Sequence, residues 1–539
     1  MKISLTSGGG KPKDLLSVSG VRLTQRLFEH DILEASLPLK SLESGQILVG
    51  KPESFLNQPL AYSLGDSGKW KGTVVSVSSS VDGSLGSHAR LIASAPTQLL
   101  ENGAHYRSFE EDVDLDSIIK DVLKPYPQNG IKRSGECDTH KLPFSVQYGE
   151  SDFEFLLRIC QQHGEWIYWT GEKLHIGKHV AEPIDLTVGR ELLNVESFVR
   201  IHPLGFNLVK RDYLEDQSLT SGSDDLKISN KGFEGTALDL SKTMLYGKSV
   251  KMPRVSAKDK THLDKLATSR MLAESKNLVG LSGVSKDRRL LLGTRFKLHP
   301  PKGKASGSDQ NPSFGEYIVI RVVHEESGKD VYQNYFEAIP ADTPVPPLDP
   351  NRKRVRANME TAVVTDNNDA KNLGRIKVRF LWQKENQSTP WIRMAAPYAG
   401  SDRGSFFVPE IKDEVLVGFD AGNPERPVVL GSLHHGKAKA DHWQDDDNLK
   451  KGFRTKSGNE ILFWDEAGKE RIQILGKGKD GSTSPGFELT LSLEQNGKVT
   501  IKSNQLEIDG GQKVSINGDQ LELEARGNVS IKGKTIKLN

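Results

Sequence analysis

The C-terminal part of this 539-residue chain repeats a two-residue apolar unit at nearly constant spacing, and that repeat limits how this end can fold. The pairs are Val499/Ile501, Leu506/Ile508, Val514/Ile516, Leu521/Leu523, Val529/Ile531 and Ile536/Leu538. Their first members stand 7, 8, 7, 8 and 7 residues apart (506−499, 514−506, 521−514, 529−521, 536−529). Each pair flanks one polar residue, from Thr500 to Lys537, which is strand alternation with one buried face. Between pairs stand Asn496-Gly497, Gly510-Gly511, Asn517-Gly518, Gly527-Asn528 and Gly533, residues that accept the positive φ of a tight corner. A chain turning every seven or eight residues, with an apolar inside and a charged outside, makes a β-prism.

Two inward side chains per step stabilise by roughly 1.5–3 kcal/mol each when fully buried, against about 1–2 kcal/mol of backbone ordering per residue. A single thin column is marginal on those terms. Winding identical chains about one axis would close the core and cover every strand edge. The repeat therefore predicts an intertwined homotrimer, one chain per prism face, with a needle core of Val499, Ile501, Leu506, Ile508, Val514, Ile516, Leu521, Leu523, Val529 and Ile531. Periodicity alone also admits a single-chain solenoid or a turn-rich meander.

The length allows three or four domains, each able to bury its own core. A formal charge of +2, from 73 basic and 71 acidic residues, gives no electrostatic argument for nucleic acid or an anionic membrane as the main partner. Fifty-one glycines among short Val/Ile/Leu alternations indicate a mainly β protein. The start, MKISLTSGGGKPKDLL, has no apolar signal region, and no stretch reaches the roughly 20 apolar residues of a membrane span. The expectation is a protein made as a soluble cytoplasmic chain, or exported without such a signal. Cys137 and Cys160 are too few for a disulfide framework or a cysteine-ligated zinc, and Cys160 reads as a small buried hydrophobe.

Three blocks separate along the chain. The first, residues 1–347, ends in the proline-rich AIPADTPVPPLDPNRKR, which suits an extended linker. It carries three expected helices. Asp114 to Leu123 opens with acidic residues and stops before Pro125. Ser151 to His163 has an N-cap serine, Glu154 at the capping-box position and Gly164 as its stop. Lys258 to Asn277 is rich in Lys, Ala and Leu. Residues 355–431 alternate as strands, 432–456 read as a polar linker, and 457–539 as the needle with its lead-in strands.

The middle block carries Leu373-Gly374-Arg375-Ile376-Lys377-Val378-Arg379-Phe380, then Trp382, Trp391-Ile392-Arg393-Met394, Ala399-Gly400 and Gly404-Ser405-Phe406-Phe407-Val408-Pro409. Glu414-Val415-Leu416-Val417-Gly418-Phe419 and Gly422-Asn423-Pro424-Glu425-Arg426-Pro427 complete the series. This resembles the OB-fold of VgrG, the spike protein of type VI secretion, and of related contractile-tail spikes. The first block is similar to the family's hub in Phe144 to Tyr148, Glu150 to Phe153, Gly164 to Trp169, Gly315 to Val319 and Tyr335 to Asp342. Two positions depart: Lys412 stands where the family commonly has glycine, and Asn423 replaces the aspartate of Gly-Asp-Pro.

The resemblance implies a mainly β chain: an α+β hub of barrel domains, an OB-fold barrel and an intertwined triple-stranded β-helix. It further implies a homotrimeric, non-enzymatic spike that adapts a six-fold Hcp-type tube and baseplate to a three-fold needle, carries effectors and punctures a target envelope. Such a spike assembles in the cytoplasm, leaves by sheath contraction, touches the target membrane only transiently and binds no nucleic acid. A PAAR-type tip protein is expected on Ile536, Leu538 and Asn539, where nothing follows to cover the final apolar pair.

Relatives with an inserted muramidase or a trailing toxin would need a domain of typically about 50 residues or more, and Gly431 to Lys456 is too short. Ser7-Gly8-Gly9-Gly10-Lys11 lacks an earlier glycine and has Pro12 where a phosphate loop needs Ser or Thr, so it reads as a flexible terminus. His434-His435 with Asp441, His442 and Asp445-Asp446-Asp447 matches no metal motif and reads as solvated linker. His175 and His179 share a strand face but stand too far apart to chelate one ion easily. No catalytic residue, cofactor or metal is expected. The competing reading is a binding module in which the OB-fold, through Trp382 or Trp391, grips oligonucleotide or glycan on a solenoid stalk.

Overall fold

The short β alternations of the first block pair across great distances in sequence. The computed structural model describes residues 3–5, 13–15, 18–38, 55–65, 68–82, 86–126, 130–179, 181–226, 232–243, 250–252, 255–301, 314–328, 331–342, 345–349, 351, 354–477, 485–492 and 497–537. The Ser7–Pro12 stretch therefore lies outside the described residues, as do Leu538 and Asn539. Two units separate, Met1–Leu433 and His434–Asn539.

In the first unit a curled 13-stranded sheet joins both ends of the hub. Strand Gly20–Arg26 pairs with Ile32–Pro38 on one side and with Glu316–Ser327 on the other. Alternate residues Val21, Leu23, Leu33, Ala35 and Leu37 face a core shared with Trp70, Leu91 and Ala93. The helices expected from the sequence form here with their ends slightly trimmed: α1 (Leu115–Leu123), α2 (Asp152–His163) and α4 (Lys260–Ser275), capped by Asp114, Ser151 and Asp259. A further helix, α3 (Gly232–Thr243), was not anticipated. Around α2 every local signal agrees. Ser151 Oγ accepts from Glu154 N–H, the Glu154 carboxylate accepts from Ser151 N–H, and Gly164 ends the helix at φ 74°.

Arg158 of α2 is the interlock between hub and barrel. Its guanidinium grips Glu150 through two bonds of 2.8 Å, donates to Val146 O at 2.7 Å and lies 3.5 Å from Glu425 of the middle block. Burial pushes the Glu425 carboxyl up while Arg158 pulls it down. Removing either partner would strand a buried charge.

The barrel itself orders Lys377–Phe380, Glu360–Asp366, Glu414–Phe419 and Pro427–Leu433 around Val364, Ile376, Val378, Phe380, Val415, Val417 and Val429. Arg375 of the Leu-Gly-Arg motif forks onto Asp369 at 2.6 and 2.9 Å and pins the loop between the first two strands. Both departures from the family pattern fall in turns. Lys412 sits at φ 81°, the left-handed region that glycine fills without strain. Asn423 Oδ1 accepts from Glu425 N–H at 2.9 Å, a bond an aspartate would make equally.

A buried chain of hydrogen bonds crosses the hub. Asn334 Nδ2 donates to Tyr332 OH (2.9 Å), which donates to His324 Nδ1 (2.7 Å). The far nitrogen of His324 lies 3.3 Å from Gln25 Oε1, and Gln25 Nε2 donates to Asp31 at 2.6 Å. Because the Gln25 amide nitrogen is committed to Asp31, its oxygen must accept, and His324 is the neutral tautomer protonated on Nε2. Burial pushes the His324 imidazole down to about 3 and the Asp31 carboxyl up to about 7.

Asp31 keeps its proton in the fold at pH values where the unfolded chain loses it. Its contribution is thus full below about pH 4 and is lost as pH rises through about 7. Asp31→Asn, which still accepts from Gln25 and Trp70, should gain on the natural chain from pH 5 to pH 8 by roughly 1 kcal/mol or more in urea unfolding. An unchanged gap across that range would exclude the carboxyl as the source. Lys412→Gly should raise stability by about 0.5–1 kcal/mol, since the turn already needs positive φ; a lower melting temperature would contradict this.

Candidate assembly surface

In the second unit the strands Lys450–Arg454, Glu460–Trp464, Arg471–Lys477, Pro485–Ser492 and Lys498–Ser503 form one five-stranded antiparallel sheet in chain order. It begins inside the segment read as a linker, because Lys450–Arg454 supplies its first strand. Two rows of directly opposed residues cross it. One runs Phe453, Ile461, Ile474, Leu489, Ile501, and the other Phe463, Ile472, Leu491, Val499. All but Leu489 are exposed in the single chain. The opposite face is finished by its own side chains: Gln473 Nε2 donates to Thr490 Oγ1 (3.2 Å) and Glu488 (3.3 Å), and Thr490 Oγ1 donates to Glu488 at 2.7 Å. One face is thus complete, and the other is an uncovered apolar wall.

Beyond Ser503 the chain continues without any strand among the described residues. The side chains expected in a needle core, from Val499 to Ile531, and Ile536 are 52% to 68% exposed. The repeat predicts strands here, and the single chain has none for a physical reason: a strand is defined by hydrogen bonds to a neighbour, and the turns bring none alongside. Local bonds such as Gln512 N–H to Gly510 O (2.6 Å) shape the corners instead. Of the expected tip contacts, Ile536 is exposed, while Leu538 and Asn539 fall outside the described residues.

The alternative sites fare differently. Trp382 stacks on Phe380 with centroids 5.2 Å apart and donates to Glu360 at 2.9 Å, while Tyr148 of the hub bonds the same carboxylate. Gln383 adds a 2.7 Å bond to Ser108. Trp382 is thus a joint between hub and barrel. Trp391 lies beneath the Lys377 ammonium, 5.0 Å from the ring centre. In the polar segment, His442 pairs with Glu460 at 2.9 Å, His434 faces Ala438 O at 3.3 Å, and Asp445 accepts backbone N–H groups of Asp447, Leu449 and Lys450. Each has a partner other than a metal. His179 bonds Gly293 O at 2.6 Å, its ring centre 6.1 Å from that of His175. The apolar rows through Phe453, Phe463 and Leu491 were missed from the sequence, although their alternation could have revealed them.

Among the described residues no helix is long and apolar enough to cross a membrane. A model of the phage tail baseplate hub matches residues 49–191, and one of the type VI secretion system/phage-baseplate injector OB domain matches residues 360–434. The type VI spike protein VgrG3 of Vibrio cholerae is 27% identical over 262 residues, 44% of this chain and 24% of that one. The spike protein VgrG1c of Pseudomonas aeruginosa is 24% identical over 491 residues, 83% of this chain and 64% of its own length. The chain thus spans less than two thirds of either relative. In fold it is similar to the E. coli type VI component c3393, described as resembling the phage T4 tail proteins gp27 and gp5. The TM-score is 0.54 at 15% identity, over 80% of this chain and 99% of that one. Hub and injector OB domains in this order, together with spike relatives that run through both, support the VgrG family for this chain.

Proposed function

We propose that the chain is the structural, non-enzymatic spike of a contractile injection machine of the type VI kind, working as a homotrimer. The observation that carries this reading is the uncovered apolar wall of the five-stranded sheet, continued by the exposed pairs from Leu506 to Ile536. Three copies about one axis would turn these walls toward each other and supply every strand beyond Ser503 with a neighbour. The charged residues between the pairs, such as Glu507, Glu522 and Lys537, would then line a soluble exterior.

By the family resemblance, the hub end would meet an Hcp-type tube and baseplate. Effectors would travel with the spike, and a PAAR-type cone would dock near Ile536 to Asn539. The proposed domain limits are a hub to residue 347, the barrel at 355–431 and the needle from 457 onward. Delivery by sheath contraction would follow. The oligonucleotide or glycan reading finds little support, since Trp382 and Trp391 are both engaged within the protein.

Light scattering coupled to size exclusion should give three times the 59.5 kDa chain mass. A monomer at micromolar concentration would sink the proposal. Ile508→Asp or Ile516→Asp would place an unpaired carboxylate in an apolar core, at a cost of several kcal/mol per chain. Those variants should lose the trimer or melt well below the natural protein, whereas Glu507→Ala and Ser515→Ala should be nearly silent. Equal effects from both pairs in melts and trypsin digestion would assign the stripe to the wrong face.

A further inference from the structure

Three imidazoles from distant parts of the hub meet at one place. His140 lies in the loop before strand Ser145–Glu150, His163 is the last residue of α2, and His262 sits in the first turn of α4. One ligand nitrogen from each lies within 4.8 Å of the other two. The ring centroids are 5.7 Å apart for His140 and His163, 4.7 Å for His140 and His262, and 5.5 Å for His163 and His262. Nε2 of His140, Nδ1 of His163 and Nε2 of His262 are buried without a hydrogen-bond partner, and Nδ1 of His140 has only the Asp138 carboxylate nearby. Buried polar atoms are normally satisfied, and orphans gathered from three residues onto one point indicate something missing between them.

We propose that His140, His163 and His262 form a binding site for one divalent transition-metal cation of the zinc class. Three neutral imidazoles with an open fourth position are an ordinary donor set for zinc. Burial and the neighbouring imidazoles push the His163 ring down to about 3 and the His262 ring down to about 4. Asp138 Oδ2 lies 3.5 Å from His140 Nδ1. That carboxylate would hold the proton of His140 on Nδ1 and aim Nε2 at the cation, the usual outer support of a zinc histidine.

Loading the site requires two adjustments. Nitrogens bound at about 2.0–2.1 Å in a tetrahedron stand about 3.3 Å apart, so the rings must draw together by rotation about their side-chain bonds. His262 Nδ1 now accepts from Lys258 N–H at 3.1 Å, which leaves the ring proton on Nε2. Binding through Nε2 moves that proton to Nδ1 and opens this bond. The bound cation would clamp the loop before Ser145, the end of α2 and the start of α4 to one another.

The test uses the full chain, stripped with chelator and titrated with zinc sulfate by calorimetry, with metal content measured after desalting. The natural protein should take up one zinc per chain, gain in melting temperature and show the visible bands of tetrahedral cobalt when loaded with cobalt(II). Asp138→Asn should weaken zinc by about 10–100-fold, and His140→Ala by more. His434→Ala/His435→Ala, outside the hub, should bind as the natural chain does. His140→Ala folded to the same metal-free melting temperature but retaining zinc would overturn the site. So would a natural chain that takes up less than one zinc per three chains, or zinc lost only in the His434→Ala/His435→Ala variant.

Discussion

The Arg158 guanidinium holds together parts of the hub that share no continuous sheet. It projects from α2 and satisfies Glu150 at the end of one strand, the carbonyl of Val146 in the same strand, and Glu425 in a barrel turn. Around it α2 is fixed by its capping box, by Phe153 and Phe155 in the core, and by Asp152. That carboxylate takes bonds from Arg107 (3.1 Å), Tyr126 (2.6 Å) and Gln147 (2.9 Å). Such a junction resists shear because the Arg158 guanidinium and the Asp152 carboxylate each hold several directed partners, whereas an apolar contact of the same area could slide.

The two units satisfy their backbones in opposite ways. In the hub, strands far apart in sequence close the sheet. Hydrogen bonds such as that between His324 and Gln25, 299 residues apart, commit both ends of the region to one fold. In the C-terminal unit pairing is between neighbours only and stops at Ser503. The hub can therefore fold as a single chain, while the last repeats have nothing of their own to fold against.

How much could be read in advance follows the range of the interactions. The helix after Ser151 was legible because its cap, its glutamate and its glycine lie within one short segment. The Leu-Gly-Arg strand and the Glu-Val strand of the barrel were legible through their alternation. α3 was not, since Gly232–Thr243 opens on glycine, carries a second at Gly235 and shows no strong apolar stripe. The order of the hub sheet was beyond reach because it depends on pairing residues about 300 positions apart. The same holds for the three histidines, which have no motif spacing and are joined only by the packing of α2, α4 and the loop before Ser145. In the repeats after Ser503 the apolar alternation is legible, but what would cover it is not written in one chain.

The alternation of seven and eight residues has a consequence for fidelity. It nearly superposes on itself after fifteen residues (514−499, 521−506, 529−514, 536−521), so a copy displaced by two steps would still set apolar pairs against apolar pairs. Nothing inside the stripe penalises that slip, for it holds only Val, Leu and Ile, with no buried amide or charge to mark a phase. The sheet before it does hold such marks: Phe453 and Phe463 stand opposite Ile461 and Ile472, Phe487 stands opposite Gly476, and the three recur at no fixed interval. Like the first teeth of a zip, that sheet would have to engage before the repeats, and the order of engagement, more than the affinity of any one pair, would decide whether three chains end level.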